Sequence, residues 1–113
     1  MKETELERLE RRARVLSALA NRTRLMIIEH LDVGDMTVSE ITEIAGLDIS
    51  TVSRHLGVLK NAGIVSCSVS GNNRIYALRT SCVLGFLDCV DDILREGAGI
   101  CARDIRKRME ERG

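Results

Sequence analysis

The chain has 113 residues, 44% of them hydrophobic and 30% charged, with 17 basic and 17 acidic side chains. That length supports one domain with a modest core, to which a partner subunit would add burial. No run approaches the ~18 apolar residues of a membrane span, and the N-terminal MKETELERLERRAR lacks a signal-peptide core, so no membrane and a cytoplasmic location are expected.

The zero net charge conceals a segregation of sign. Residues 1–24 carry seven basic and four acidic groups, residues 25–47 five acids and no Lys or Arg, and residues 48–79 four bases against one acid. Local field, rather than the total, governs attraction to a polyanion. The four cysteines, Cys67, Cys82, Cys89 and Cys101, contain no CxxC pair. In a reducing compartment this argues against a disulfide framework, and the spacing removes zinc-ribbon and thioredoxin-like sites.

In chain order, Leu6, Leu9, Ala13, Leu16 and Ala20 repeat at the three-then-four spacing of one helical stripe. Asn21 is placed to cap a second helix, RTRLMIIEHLD, with Leu25, Ile28 and Leu31 on one side and Gly34 at its end. Thr37 and Glu40 have capping-box spacing for a short third helix through Ala45, stopped by Gly46. Asp48 then caps a fourth, ISTVSRHLGVLKNAG, whose Ile49, Val52, Leu56 and Leu59 predict an inner face. Beyond Gly63 the period changes to two: IVSCSVS alternates, SGNN is a turn and RIYALR returns, a β-hairpin. A helical period resumes from Ser81 to Arg95, and GAG separates it from a polar tail, residues 97–113.

Two short helices joined by a tight Gly-Leu turn and followed by a hairpin make a winged helix-turn-helix, a mainly α fold with a β-hairpin wing (α+β). The helix-turn-helix is expected over residues 37–62 and the wing over 63–79, within a single domain. The second of these helices suits the major groove, where base edges carry a distinctive pattern of donors and acceptors. Short hydrogen-bonding side chains permit close approach, and Ser50, Thr51, Ser53, Arg54 and His55 fit that need. Asn72, Asn73 and Arg74 place the wing against the DNA backbone or minor groove, with Lys60 and Arg74 as phosphate contacts. This reading requires no cofactor for DNA binding. No histidine adjoins a cysteine, and neither an acid–base pair nor a phosphate-binding loop occurs, so an enzyme is not expected.

The segments ALANRTRLMIIEHL, VSEITEIAGLDISTVSRHLGVLKNAGIV and SGNNRIYAL together resemble the ArsR/SmtB family of winged-helix repressors. The resemblance covers roughly residues 15–79 and is most specific in TVSRHLGVLKNAGIV. It implies a homodimer on operator DNA, with residues 1–20 and 80–96 as dimerisation helices. It also implies repression relieved by an effector, often a thiophilic metal or metalloid. Two features depart from the family pattern. The turn SGNN is poorer in Arg and Lys than is usual, and neither a cysteine pair in VSEITEIA nor a histidine in the helix after the wing is present.

On a helix from Ser81, the side chains of Cys82, Phe86, Cys89 and Ile93 share one face. Seven residues rise about 10.5 Å, whereas two thiolates on one ion lie within about 4.6 Å. Joint ligation therefore needs Cys82 ahead of the first regular turn, Cys101 folded back, or a thiol from the partner. An all-sulfur site of this kind suits arsenite, antimonite or cadmium, As(III), Sb(III) or Cd(II), and it resembles family members with arsenic sites on C-terminal cysteines. The alternatives are a thiol redox or persulfide switch, or cysteines that only pack. Cys67, on a strand face with Val65 and Val69, is expected to pack.

Overall fold

The computed structural model describes residues 2–96, so the expected tail and Cys101 lie outside the described residues. The chain divides into a compact body through Ser81 and a separate helical unit from Cys82. The body contains α1 (Glu5–Leu19), α2 (Arg22–Val33), β1 (Met36–Thr37), α3 (Val38–Ala45), α4 (Ile49–Asn61), β2 (Val65–Ser70) and β3 (Asn73–Leu78), and α5 spans Cys82–Glu96.

The starts of α1, α2, α3 and α4 each have a side-chain acceptor for the amides that a first turn leaves unpaired. Thr4 and Glu7 form a capping box on α1, and Asn21 accepts from the Arg24 amide on α2. At α3 the Glu40 amide donates to Thr37 Oγ1 at 3.2 Å and the Thr37 amide to Glu40 Oε1 at 3.0 Å. The latter bond is the main reason the Glu40 carboxyl titrates below its ordinary value. Gly46, at φ 65°, closes α3 in the left-handed region that favours glycine.

The core lies where α2, α3 and α4 meet the sheet: Ile27, Ile28 and Leu31, Ile41, then Val52, Leu56 and Leu59, with Ile64, Val65 and Tyr76. Each such apolar side chain contributes roughly 1.5–3 kcal/mol by leaving water. The structure extends one expected element and corrects one expected face. The hairpin is part of a three-stranded antiparallel sheet ordered β1-β3-β2, with Met36 opposite Tyr76 and Thr37 opposite Ile75. Two residues carry no period, so β1 leaves no alternation to detect. Ile49, expected on the inner face of α4, is 58% exposed. It stands in the first turn, rotated about 50° from the mean direction of Val52, Leu56 and Leu59 at 100° per residue.

The wing is the expected hairpin, pairing Val65 opposite Leu78 through Ser70 opposite Asn73. Gly71 and Asn72 form its two-residue loop, with positive φ at Gly71 alone, the pattern of a II′ turn. Along β2 the inner face runs out of core: Val65 is buried, Cys67 half-buried and Val69 exposed.

Candidate nucleic-acid interface

Helix α4 is fixed at both ends by its own sequence. At its C-terminus the Ile64 amide bonds the Leu59 carbonyl and the Gly63 amide the Lys60 carbonyl, each at 3.0 Å, a Schellman closure permitted by Gly63 at φ 81°. Val52, Leu56 and Leu59 have no exposed surface, so the roll of the helix is set and its remaining faces are exposed or half-buried.

One of those faces, Ile49, Ser53, Gly57 and Lys60, lines an open groove of about 560 Å³. Its other walls are Thr37, Val38 and Ser39 at the start of α3 and Asn72, Asn73, Arg74 and Tyr76 of the wing. Five of the nine residues expected to contact DNA, Ser53, Lys60, Asn72, Asn73 and Arg74, therefore share this groove. Gly57 lies along its floor in mid-helix, where glycine costs about 1 kcal/mol relative to Ala. A Cβ there would meet nothing within 4 Å, so nothing among the described residues demands the glycine.

The other four residues sit outside the groove. Arg54 is exposed on α4. Ser50 and Thr51 are both tied to Asp48: Ser50 Oγ donates to Oδ2, Thr51 Oγ1 donates to Oδ1 at 2.6 Å, and the Thr51 amide donates to Oδ2 at 3.2 Å. These bonds, that of Ser50 first, lower the Asp48 carboxyl to about 2. His55 is held from a different direction. Arg24 Nη1 donates to His55 Nδ1 at 3.1 Å, while Arg24 Nε and Nη2 donate to the carbonyls of Ala18 at 2.6 Å and Ser17 at 3.2 Å. One guanidinium thus joins the end of α1 to α4 and supplies a cation to a last turn that has no basic residue of its own. Because Arg has no acceptor, His55 Nδ1 must be unprotonated, which leaves Nε2–H as the ring's remaining donor. Burial, then the charges of Arg24 and Arg54, pushes the His55 pKa below its ordinary value.

Sequence reasoning identified Asp48 as a cap but not as the acceptor for two hydroxyls, although the D-x-S-T spacing contains that signal. Arg24 and Tyr76 gave no local signal, because their roles depend on contacts across the fold.

On α5, both Cys82 and Cys89 are exposed, as are Phe86 and Ile93. Cys82 is the first helical residue, not a residue ahead of the helix, so the two Cα atoms are separated by a rise of about 10.5 Å. No set of three His, Cys, Asp or Glu residues able to hold a metal occurs among the described residues. The described donors alone do not fit a thiophilic ion. No helix among the described residues is long and apolar enough to cross a membrane.

Residues 21–66 match the bacterial regulatory protein, arsR family. NmtR of Mycobacterium tuberculosis, an HTH-type transcriptional regulator, is 38% identical over 76 residues, 67% of this chain. The match spans 63% of that relative, less than two-thirds of its length. MJ1325 of Methanocaldococcus jannaschii, also an HTH-type transcriptional regulator, is 33% identical over 89 residues, covering 78% of this chain and 100% of the relative. The homodimeric winged helix-turn-helix DNA-binding domain of Mb0332 from Mycobacterium bovis superposes with a TM-score of 0.74 at 27% identity, covering 90% of this chain and 94% of that one. By its matched helix-turn-helix, a relative covered end to end and the winged architecture, this chain belongs to the arsR family of regulatory proteins.

Proposed function

We propose that the protein is a homodimeric transcriptional repressor that binds double-stranded operator DNA through α4 and the wing. The observation that carries this reading is the groove in which Ser53 and Lys60 of α4 face Asn72, Asn73 and Arg74 of the wing. It places cations and short polar side chains along one open channel, next to the exposed Arg54. Arg54 reads a base edge, while Lys60 and Arg74 neutralise phosphates. Dimerisation through α1 and α5 is supported by the homodimeric state of the Mb0332 domain and by the exposed Leu6, Leu9, Leu16, Phe86 and Ile93 of this chain.

The exposed thiols of α5 are the proposed point of control, responding to a soft thiophile such as arsenite, antimonite or cadmium. Because Cys82 and Cys89 cannot both reach one ion on a regular helix, a further thiol is required, from Cys101 or from the partner subunit.

Binding of the reduced full chain to a duplex selected from a random library tests the first part. Arg54→Ala should weaken the selected duplex by about 1–3 kcal/mol and relax its preference at one position. Lys60→Ala and Arg74→Ala should weaken all duplexes alike, each reducing the salt slope by about 1. Equal, sequence-independent losses for all three would remove α4 as the reading helix. For control, titration with arsenite, antimonite and cadmium should produce near-UV thiolate absorption together with release of DNA. Release by peroxide or polysulfide, with no absorption from any of the ions, would transfer the thiols to a redox role.

A further inference from the structure

The start of α4 combines three polar groups in a way that settles what the helix can offer a base. Each hydroxyl has one proton to donate and two lone pairs with which to accept. Ser50 and Thr51 both spend that proton on Asp48, on Oδ2 and Oδ1 respectively. Both nevertheless retain access to solvent, Ser50 as an exposed residue and Thr51 as a half-buried one. What they present outward is therefore lone pairs alone, next to a carboxylate that also only accepts.

We infer that Asp48 is a specificity-determining residue: it fixes Ser50 and Thr51 as hydrogen-bond acceptors, so that α4 selects amino-bearing bases at the two positions these hydroxyls reach. The inference rests on the proposed DNA-binding role of α4. In the major groove adenine offers N6–H₂ and cytosine N4–H₂, whereas guanine O6 and N7 and thymine O4 only accept. A or C is therefore matched and G or T opposed on the contacted strand. Turning a hydroxyl outward to donate would break a charge-assisted bond to a carboxylate, among the stronger hydrogen bonds a protein makes. At neutral pH that carboxylate is ionised, since its own bonds hold it at about 2. One turn further on, Arg54 has the opposite polarity, donors only. The reading surface of α4 thus passes from accepting at its start to donating in its second turn, and the preferred half-site should pass from A or C to G.

The geometry also predicts what breaks the rule. Oδ2 receives the Thr51 amide as well as Ser50, while Oδ1 receives only the Thr51 hydroxyl. In Asp48→Asn the remaining oxygen must stay with the amide, because Asn caps a helix through that bond. Its amino group then faces Thr51 Oγ1 and donates to it, freeing the Thr51 proton to point outward. Ser50 keeps its acceptor.

The test is selection of bound duplexes from a random library by the full chain, repeated for Ser50→Ala, Thr51→Ala and Asp48→Asn, with circular dichroism and melting to confirm folding. The positions whose preference relaxes in Ser50→Ala and in Thr51→Ala are the two contacted positions. At both, the unaltered protein should favour A or C over G or T on one strand by on the order of tenfold. Asp48→Asn should move only the Thr51 position toward G or T. The inference is overturned by G or T at those positions in the unaltered protein, by no position responding to either alanine variant, or by a folded Asp48→Asn with an unchanged preference. Each of these leaves DNA binding standing, whereas failure to enrich any sequence removes the binding role and this inference with it.

Discussion

Helices α4 and α1 have apolar stripes of the same kind, yet the body of the protein uses them in opposite ways. On α4, Val52, Leu56 and Leu59 have no exposed surface. On α1, Leu6, Leu9 and Leu16 are 66%, 49% and 51% exposed, and only Ala18 and Leu19 at its end are buried. A helical repeat of apolar residues says that a face leaves water somewhere, and it does not say whether the covering surface lies within the chain. α4 belongs to the core of this protein, whereas α1 is fastened to it chiefly at its C-terminal turn and offers the remaining stripe outward.

The contrast predicts unequal responses to substitution. Leu56→Ala removes side-chain volume from a site with no exposure and should cost about 2–5 kcal/mol, read as a lower urea midpoint with the slope unchanged. A loss below about 1 kcal/mol would mean that the α4 face repacks freely and that the two helices differ less than their burial suggests. The double substitution Leu9→Glu and Leu16→Glu should leave far-UV circular dichroism intact while reducing the mass in sedimentation from two chains to one. Affinity for a two-half-site duplex should then fall on the order of a hundredfold, through loss of the second contact. A dimer that survives the change would show that the exposed stripe of α1 is not the interface.

Much of the architecture was legible because it is written in local chemistry. The Thr37 and Glu40 capping box, the Asp48 cap, the glycine ends at Gly46 and Gly63 and the change of period into the wing all depend on residues within a few positions of one another, and each occurs as expected. β1 was missed because two residues cannot display a period, and Ile49 because helical spacing gives an approximate face without saying where the neighbouring element ends. The site shows the same division. The groove gathers residues that were named from type and position, but the Arg24 bridge to His55 spans 31 residues and nothing near either residue announces it. The thiols were legible as a shared face of α5; no effector is legible from them, because one helix holds them too far apart to be a complete site.

Gly57 provides a smaller test of the outward side of α4. With nothing within 4 Å of an added Cβ, Gly57→Ala should stabilise the fold by roughly 0.5–1 kcal/mol. The same methyl group projects into the groove and should weaken duplex binding, so stability and affinity move in opposite directions. If affinity holds while stability rises, DNA does not approach α4 along that line.

The smallest expected effect concerns the polar link that Arg24 makes between α1 and α4. His55 Nδ1 accepts from Arg24 only while unprotonated, and its folded-state pKa lies below the ordinary 6.5 because of burial and the charges of Arg24 and Arg54. Well above pH 6.5 the ring is neutral in both the folded and the unfolded chain, and the full stability is present. As pH falls below that value the unfolded chain takes up the proton first, so stability declines until the folded-state pKa is reached. Asp48, at about 2, and Glu40, lowered from 4.5, are already ionised between pH 5.5 and 7, and their contribution disappears only in stronger acid. The melting temperature should therefore fall from pH 7 to pH 5.5. In His55→Asn, whose carbonyl oxygen takes the place of Nδ1 without titrating, that fall should be reduced. Equal slopes in the two proteins would assign the pH dependence elsewhere and leave Arg24 as a clamp on the end of α1 alone, with no stake in the position of α4.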